Sequence, residues 1–151
     1  MSRARAIRRL AFQVLFQLDA QGGKDVDAIG DSIETDLPAK GRHEAIELAK
    51  GAYSDREAAD AAMEALAPTW PARRQPAVDR AILRLAHHEI VARRVNAKIV
   101  INEAVELARE FSTERSPAFI NALLDRIMKA SRGTPIEPPP PGDGPAEEPA
   151  S

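Results

Sequence analysis

The chain has no cysteine among its 151 residues. Disulfides, thiolate nucleophiles and Cys-ligated zinc or iron–sulfur sites are therefore excluded, and a reducing compartment fits. Aromatics are scarce, at four Phe, one Trp and one Tyr. The alternating runs of Val, Ile, Thr and aromatic residues that mark strands are missing as well. No apolar stretch approaches the roughly 20 residues of a membrane-spanning helix. The basic N-terminus spaces its apolar residues helically rather than in a block, which speaks against a secretory signal. There is no Gly-rich phosphate loop and no Ser/His/Asp arrangement, and no pair of acids stands apart from ordinary helix faces. A soluble, cytoplasmic protein is expected, with no catalysis, cofactor, metal or membrane partner.

What is present is charge and helical periodicity. Four of the 23 acids (Glu137, Asp143, Glu147, Glu148) fall in residues 133–151, where there is no Lys or Arg. Residues 1–132 therefore hold 21 bases against 19 acids. Arg3, Arg5, Arg8 and Arg9 crowd the first ten positions, the natural place for a polyanion contact. Residues 133–151 also contain seven of the twelve prolines and no aromatic, so they are expected to form a disordered or polyproline-like tail.

Ala, Leu, Arg and Glu at helical spacing predict an all-α fold of about seven helices. The first spans about 4–20, with Ile7, Leu10, Ala11, Val14 and Leu18 on one stripe, and Gly22-Gly23 stops it. A second covers about 25–36. Residues 40–67 divide near Tyr53, where Ser54-Asp55-Arg56-Glu57 reads as a capping box. Three prolines in residues 68–76 mark a linker between two helical halves. Further helices are expected over about 77–93, 97–111 and 117–130. The domain is 1–132, with subdomains of about 1–67 and 77–131.

On the first helix, Arg5, Arg9, Phe12 and Phe16 share the side away from the stripe. They fit either packing under the C-terminal half or a phosphate-gripping, base-stacking face for single-stranded RNA. Ser116 is expected as the N-cap of the last helix with Pro117 as its first residue, which leaves outward N–H groups that attract phosphate. Phe119 lies at the margin of the Ile120, Leu123, Leu124, Ile127 stripe, a position open to the core edge or to base stacking. His87, His88 and Glu89 diverge by 100° per residue and supply no metal-ligand set. His43-Glu44 fails on the same grounds. Glu89 falls inside an apolar stripe, so it must fasten the next helix or pair with an arginine.

Three ordered stretches, RAIRRLAFQVLF, VDRAILRLAHHEI and INEAVELAREF followed by SPAFINALLD, resemble the motifs of the NusB family over about residues 5–128. The resemblance implies an all-helical fold of two subdomains and a transcription antitermination factor. Such a factor pairs with NusE, a ribosomal protein of the small subunit, binds boxA RNA of nascent transcripts, and joins the RNA polymerase antitermination complex, notably during ribosomal RNA synthesis. It implies RNA contacts at Arg5, Arg8, Gln13 and Phe119, to which the basic cluster adds Arg3 and Arg9, and NusE contacts at Phe16 and Asp79. The family's Lys and Gly are Ala118 and Ala122 here, and Arg115 stands where an acid is frequent, which implies weaker or altered RNA binding. The rival readings are a stand-alone module like the accessory N-terminal domain of RNA cytosine methyltransferases, and a protein scaffold or homodimer.

Overall fold

The computed structural model describes residues 1–132, which form seven α-helices and, among these residues, no strand. The expected tail, 133–151, lies outside the described residues. Helix α1 (Arg3–Ala20) starts where the Ser2 hydroxyl accepts the Arg5 N–H, at 3.2 Å. It ends in a Schellman turn, in which Gly23 N–H donates to the Leu18 carbonyl and Gly22 N–H to that of Asp19. Both glycines have positive φ, the conformation that such a stop requires.

Helix α2 (Val26–Ser32) is shorter than its apolar spacing suggests. Its last carbonyls are taken by side chains: Ser32 Oγ donates to Ile29 O, and Arg42 from the next helix donates to Gly30 O and Ile33 O. A helix whose terminal acceptors are satisfied from outside has no need of another turn. Helices α3 (Ala39–Ser54) and α4 (Arg56–Leu66) break at the expected place, but the capping box does not form. Ser54, the capping residue of that box, is the last residue of α3, and Asp55, which takes the N-cap position instead, makes no cap hydrogen bond, its carboxylate meeting His88 Nδ1 at 2.7 Å. Residues 68–76 contain a single 3-10 turn, Ala72–Arg74, pinned by Gln75 to Trp70 O and by Arg74 to Thr69 O.

Helix α5 (Ala77–His87) runs on into a π-turn (His88–Ala92), in which Arg93 N–H reaches the His88 carbonyl, and Arg94 at φ 54° ends it. Residues 81–90 are all buried, so α5 is the spine of the molecule, enclosed by α1, α3, α4, α6 (Ala97–Phe111) and α7 (Ser116–Ser131). One apolar cluster draws on every α-helix, with Leu10, Leu15, Ile82, Leu83, Ile120, Leu123 and Leu124 almost wholly covered.

A buried spine that carries polar residues needs partners for each, and most of them have one. Arg84 bonds to Asp19 of α1 and Asp60 of α4. Burial alone would raise the Asp19 carboxyl, but hydrogen bonds and charge from Arg80 and Arg84 outweigh it and hold the group below its usual range. Glu89 pairs with Arg8, whose Nε lies 3.0 Å from both carboxylate oxygens. The pairing with an arginine anticipated for Glu89 is thus the one observed. Among the described residues, only His87 Nδ1 is a buried side-chain polar atom without a hydrogen-bond partner.

Asp79 is fully buried, at 0 % exposure. It accepts from Ser112 Oγ at 2.5 Å and Ser116 Oγ at 2.8 Å. The carboxylate expected to meet NusE is thus turned inward onto the α6–α7 turn. The expected N-cap role of Ser116 is corrected: its hydroxyl is turned to Asp79, α7 begins at Ser116 itself, and its N-cap position, Arg115, makes no side-chain cap.

Candidate nucleic-acid interface

The outer edge of α1 faces α6, and the arginines brought together by the sequence meet carboxylates there. Arg5 engages Glu103 through two bonds, Nε to Oε2 at 2.9 Å and Nη2 to Oε1 at 3.0 Å. Arg9 engages Glu110 and lies 5.2 Å from the centre of the Phe111 ring. On the other flank Arg3 reaches Glu44 of α3. Hydrogen bonding to these acids raises the pKa of Arg5 and of Arg9 above the ordinary arginine value, the latter against a smaller opposing effect of burial. The α6 acids Glu103, Glu106 and Glu110 recur at i, i+3 and i+7, so one face of α6 opposes the basic face of α1. The basic patch is self-neutralised in the free protein.

Three adjoining grooves follow this edge. The first, about 640 Å³, lies between α1 and the α2–α3 loop and is lined by Arg3, Arg9 and Gln13 opposite Glu34 and Asp36. The second, about 320 Å³, holds Arg5, Arg8, Arg9 and Arg109 with Glu103 and Glu110. The third, about 890 Å³, passes from Arg5 and Arg109 between α6 and the start of α7, reaching Asn102, Thr113 and Asn121. Arg9 is shared by the first two, and Arg5 and Arg109 by the last two, so the grooves form one continuous track.

The structure therefore brings Arg3, Arg5, Arg9 and Gln13 to one edge. Arg8 lines the second groove too, but its side chain is only 14 % exposed and is bonded to Glu89. Phe119 stands apart from this edge: at 6 % exposure its ring belongs to the core, because the angle it occupies on α7 is covered by neighbouring helices. Phe12 is buried on Phe111, with ring centres 4.9 Å apart. Phe16, at 37 % exposure, remains a surface ring. Arg109, Asn102, Asn121 and half-buried Phe111 were missed from the sequence, although Asn102 and Arg109 stand seven residues apart on one helix face, a spacing that could have found them.

Among the described residues no group of three or more His, Asp or Glu could hold a metal, and no helix is long and apolar enough to cross a membrane.

Comparison with known proteins agrees with this architecture. Residues 5–129 match the model of the NusB family. A transcription antitermination protein NusB of Kineococcus radiotolerans is 37 % identical over 130 residues, covering 85 % of this chain and 95 % of that protein. The solved T. maritima NusB superposes with a TM-score of 0.75 at 29 % identity, covering 85 % of this chain and 92 % of its own. A solved complex of the antitermination factors NusB and NusE with double-stranded RNA shares the fold, with a TM-score of 0.72 at 23 % identity over 86 % of this chain and 98 % of that one. Matched in sequence along nearly all of its described length, the chain belongs to the NusB family of transcription antitermination proteins.

Proposed function

We propose that this protein is a non-catalytic RNA-binding adaptor of the cytoplasm that, together with NusE, holds boxA RNA of nascent transcripts, notably ribosomal RNA, and carries it into the RNA polymerase antitermination complex. The observation that carries the reading is the continuous track in which Arg3, Arg5, Arg9 and Arg109 succeed one another along α1 and α6. Guanidinium groups in a row suit a flexible phosphate backbone, and the Arg9–Phe111 stack keeps one of them extended at the rim. A solved protein of the same fold was captured with NusE and RNA, which motivates extending both partners to this chain. In this proposal Gln13 lines the entry of the track and Phe16 contributes an apolar contact to NusE.

The test is a titration of boxA RNA and a scrambled RNA of equal length, each with and without NusE. Tighter binding of boxA, strengthened by NusE, is expected. Equal affinity for the two RNAs in both conditions would overturn the reading.

A further inference from the structure

The arginines of the track grip phosphates and carry no sequence information. Something else must distinguish one base from another. The third groove contains two side chains suited to that task, Asn102 on α6 and Asn121 on α7. Both are exposed, and neither side chain makes a hydrogen bond within the described structure. Asn is among the poorer helix formers, less favourable than Ala by roughly 0.7 kcal/mol in a helix interior. Neither residue caps its helix, since Asn96 caps α6 and Arg115 precedes α7. Two helix-disfavouring amides therefore stand mid-helix without a structural partner, and both line one groove flanked by Arg5 and Arg109. At the same wall Pro117 and Ala118 present small apolar surfaces, which leave room for a planar ring.

We infer that Asn102 and Asn121 are the base-reading residues of the track and that they favour adenine and cytosine over uracil in single-stranded RNA. This rests on the RNA-binding reading above and deepens it. A carboxamide offers one acceptor and two donors, the complement of adenine and of cytosine, which place an exocyclic amino donor, N6 or N4, beside a ring-nitrogen acceptor. Uracil, with a ring N–H between two carbonyls, lacks the amino donor. In unpaired RNA both base edges are accessible, so helix side chains reach them without entering a duplex groove.

The test titrates the wild type, Asn102→Ala and Asn121→Ala with boxA RNA and with the same RNA carrying purine riboside in place of each adenine and pyrimidin-2-one riboside in place of each cytosine, both of which lack the exocyclic amino group. Circular dichroism melts serve as the control for folding, and both exposed positions are expected to melt as the wild type does. The expected result is that the wild type loses roughly tenfold in affinity on the substituted RNA. At least one alanine variant loses a similar factor on unmodified RNA and little more on the substituted one, with an unchanged salt dependence. Variants that bind unmodified RNA as tightly as the wild type, or lose equally further on the substituted RNA, would overturn base reading by these amides while leaving the adaptor function intact. A wild type that fails to prefer boxA over scrambled RNA overturns both.

Discussion

The Arg5 guanidinium and the Glu103 carboxylate lie fork to fork across the α1–α6 seam, with both bonds within 3.0 Å. Arg9 and Glu110 repeat the arrangement two turns along α6. A phosphate that binds here does not meet a free cation but displaces a carboxylate, so association is an exchange of partners. Charge-assisted bidentate bonds to phosphate and to carboxylate are alike in geometry. Removing the competing acids is therefore expected to strengthen RNA binding. Glu103→Gln with Glu110→Gln should raise affinity for boxA RNA by roughly three- to tenfold and steepen the salt dependence, each released phosphate contact adding about 0.7 to the log–log slope on a single strand. Fluorescence anisotropy over a salt series measures both. Weaker binding by the double variant would sink the exchange.

Arg8 and Glu89 form the buried counterpart, with side chains 14 % and 5 % exposed. Breaking a buried pair strands a charge at a typical cost of about 3–5 kcal/mol. Arg8→Ala is thus expected to lower the denaturation midpoint strongly, as is Glu89→Gln to a smaller degree, whereas Arg5→Ala with Arg9→Ala should leave the midpoint nearly unchanged and weaken RNA binding. Urea denaturation separates the two classes. Arg8→Ala melting like the wild type contradicts an interior role.

Asp79 ties α5 to the α6–α7 turn through the hydroxyls of Ser112 and Ser116. Substitution Asp79→Ala removes the acceptor shared by both hydroxyls and leaves them only each other and Thr113 as partners, at a cost of about 1–3 kcal/mol for the lost buried hydrogen bonding. A clear drop in thermal midpoint is the expected outcome. Should calorimetry find no drop while NusE binding weakens, the enclosed position described for Asp79 is wrong.

His87 is kept neutral by its surroundings: burial pushes its pKa down and the His88 ring adds to this, against the opposing charges of Asp55 and Asp60. The unfolded chain takes up the proton near the ordinary value of about 6.5 while the folded chain resists it, so protonation favours unfolding. Stability is therefore full above that pH and falls as the pH drops through it toward the lower folded value. His87→Leu removes both the titration and the unsatisfied Nδ1, and is expected to flatten the decline in melting temperature between about pH 7.5 and 5.5. A slope identical to that of the wild type would show that His87 does not carry the pH dependence.

Much of the fold was readable along the chain. The stripes of α1, α6 and α7, the Gly22-Gly23 stop and the break beside Tyr53 all express local backbone preferences, and each stands where those preferences place it. The shortened α2 and the unformed capping box departed from expectation for reasons beyond local rules: Arg42, from the next helix, took the last carbonyls of α2, while α3 ran on through Ser54 and left the N-cap position to Asp55, whose carboxylate is held by His88.

The candidate interface divides in the same way. That Arg3, Arg5, Arg8 and Arg9 cluster on one helix follows from their order in the chain, because helical geometry is set within a few residues. Whether each is free, paired or enclosed was decided by partners 41 to 101 positions away, at Glu44, Glu89, Glu103 and Glu110. The burial of Asp79 and of the Phe119 ring belongs with these. Periodicity states the angle a side chain takes around its own helix axis, and only the packing of helices against one another determines what stands at that angle.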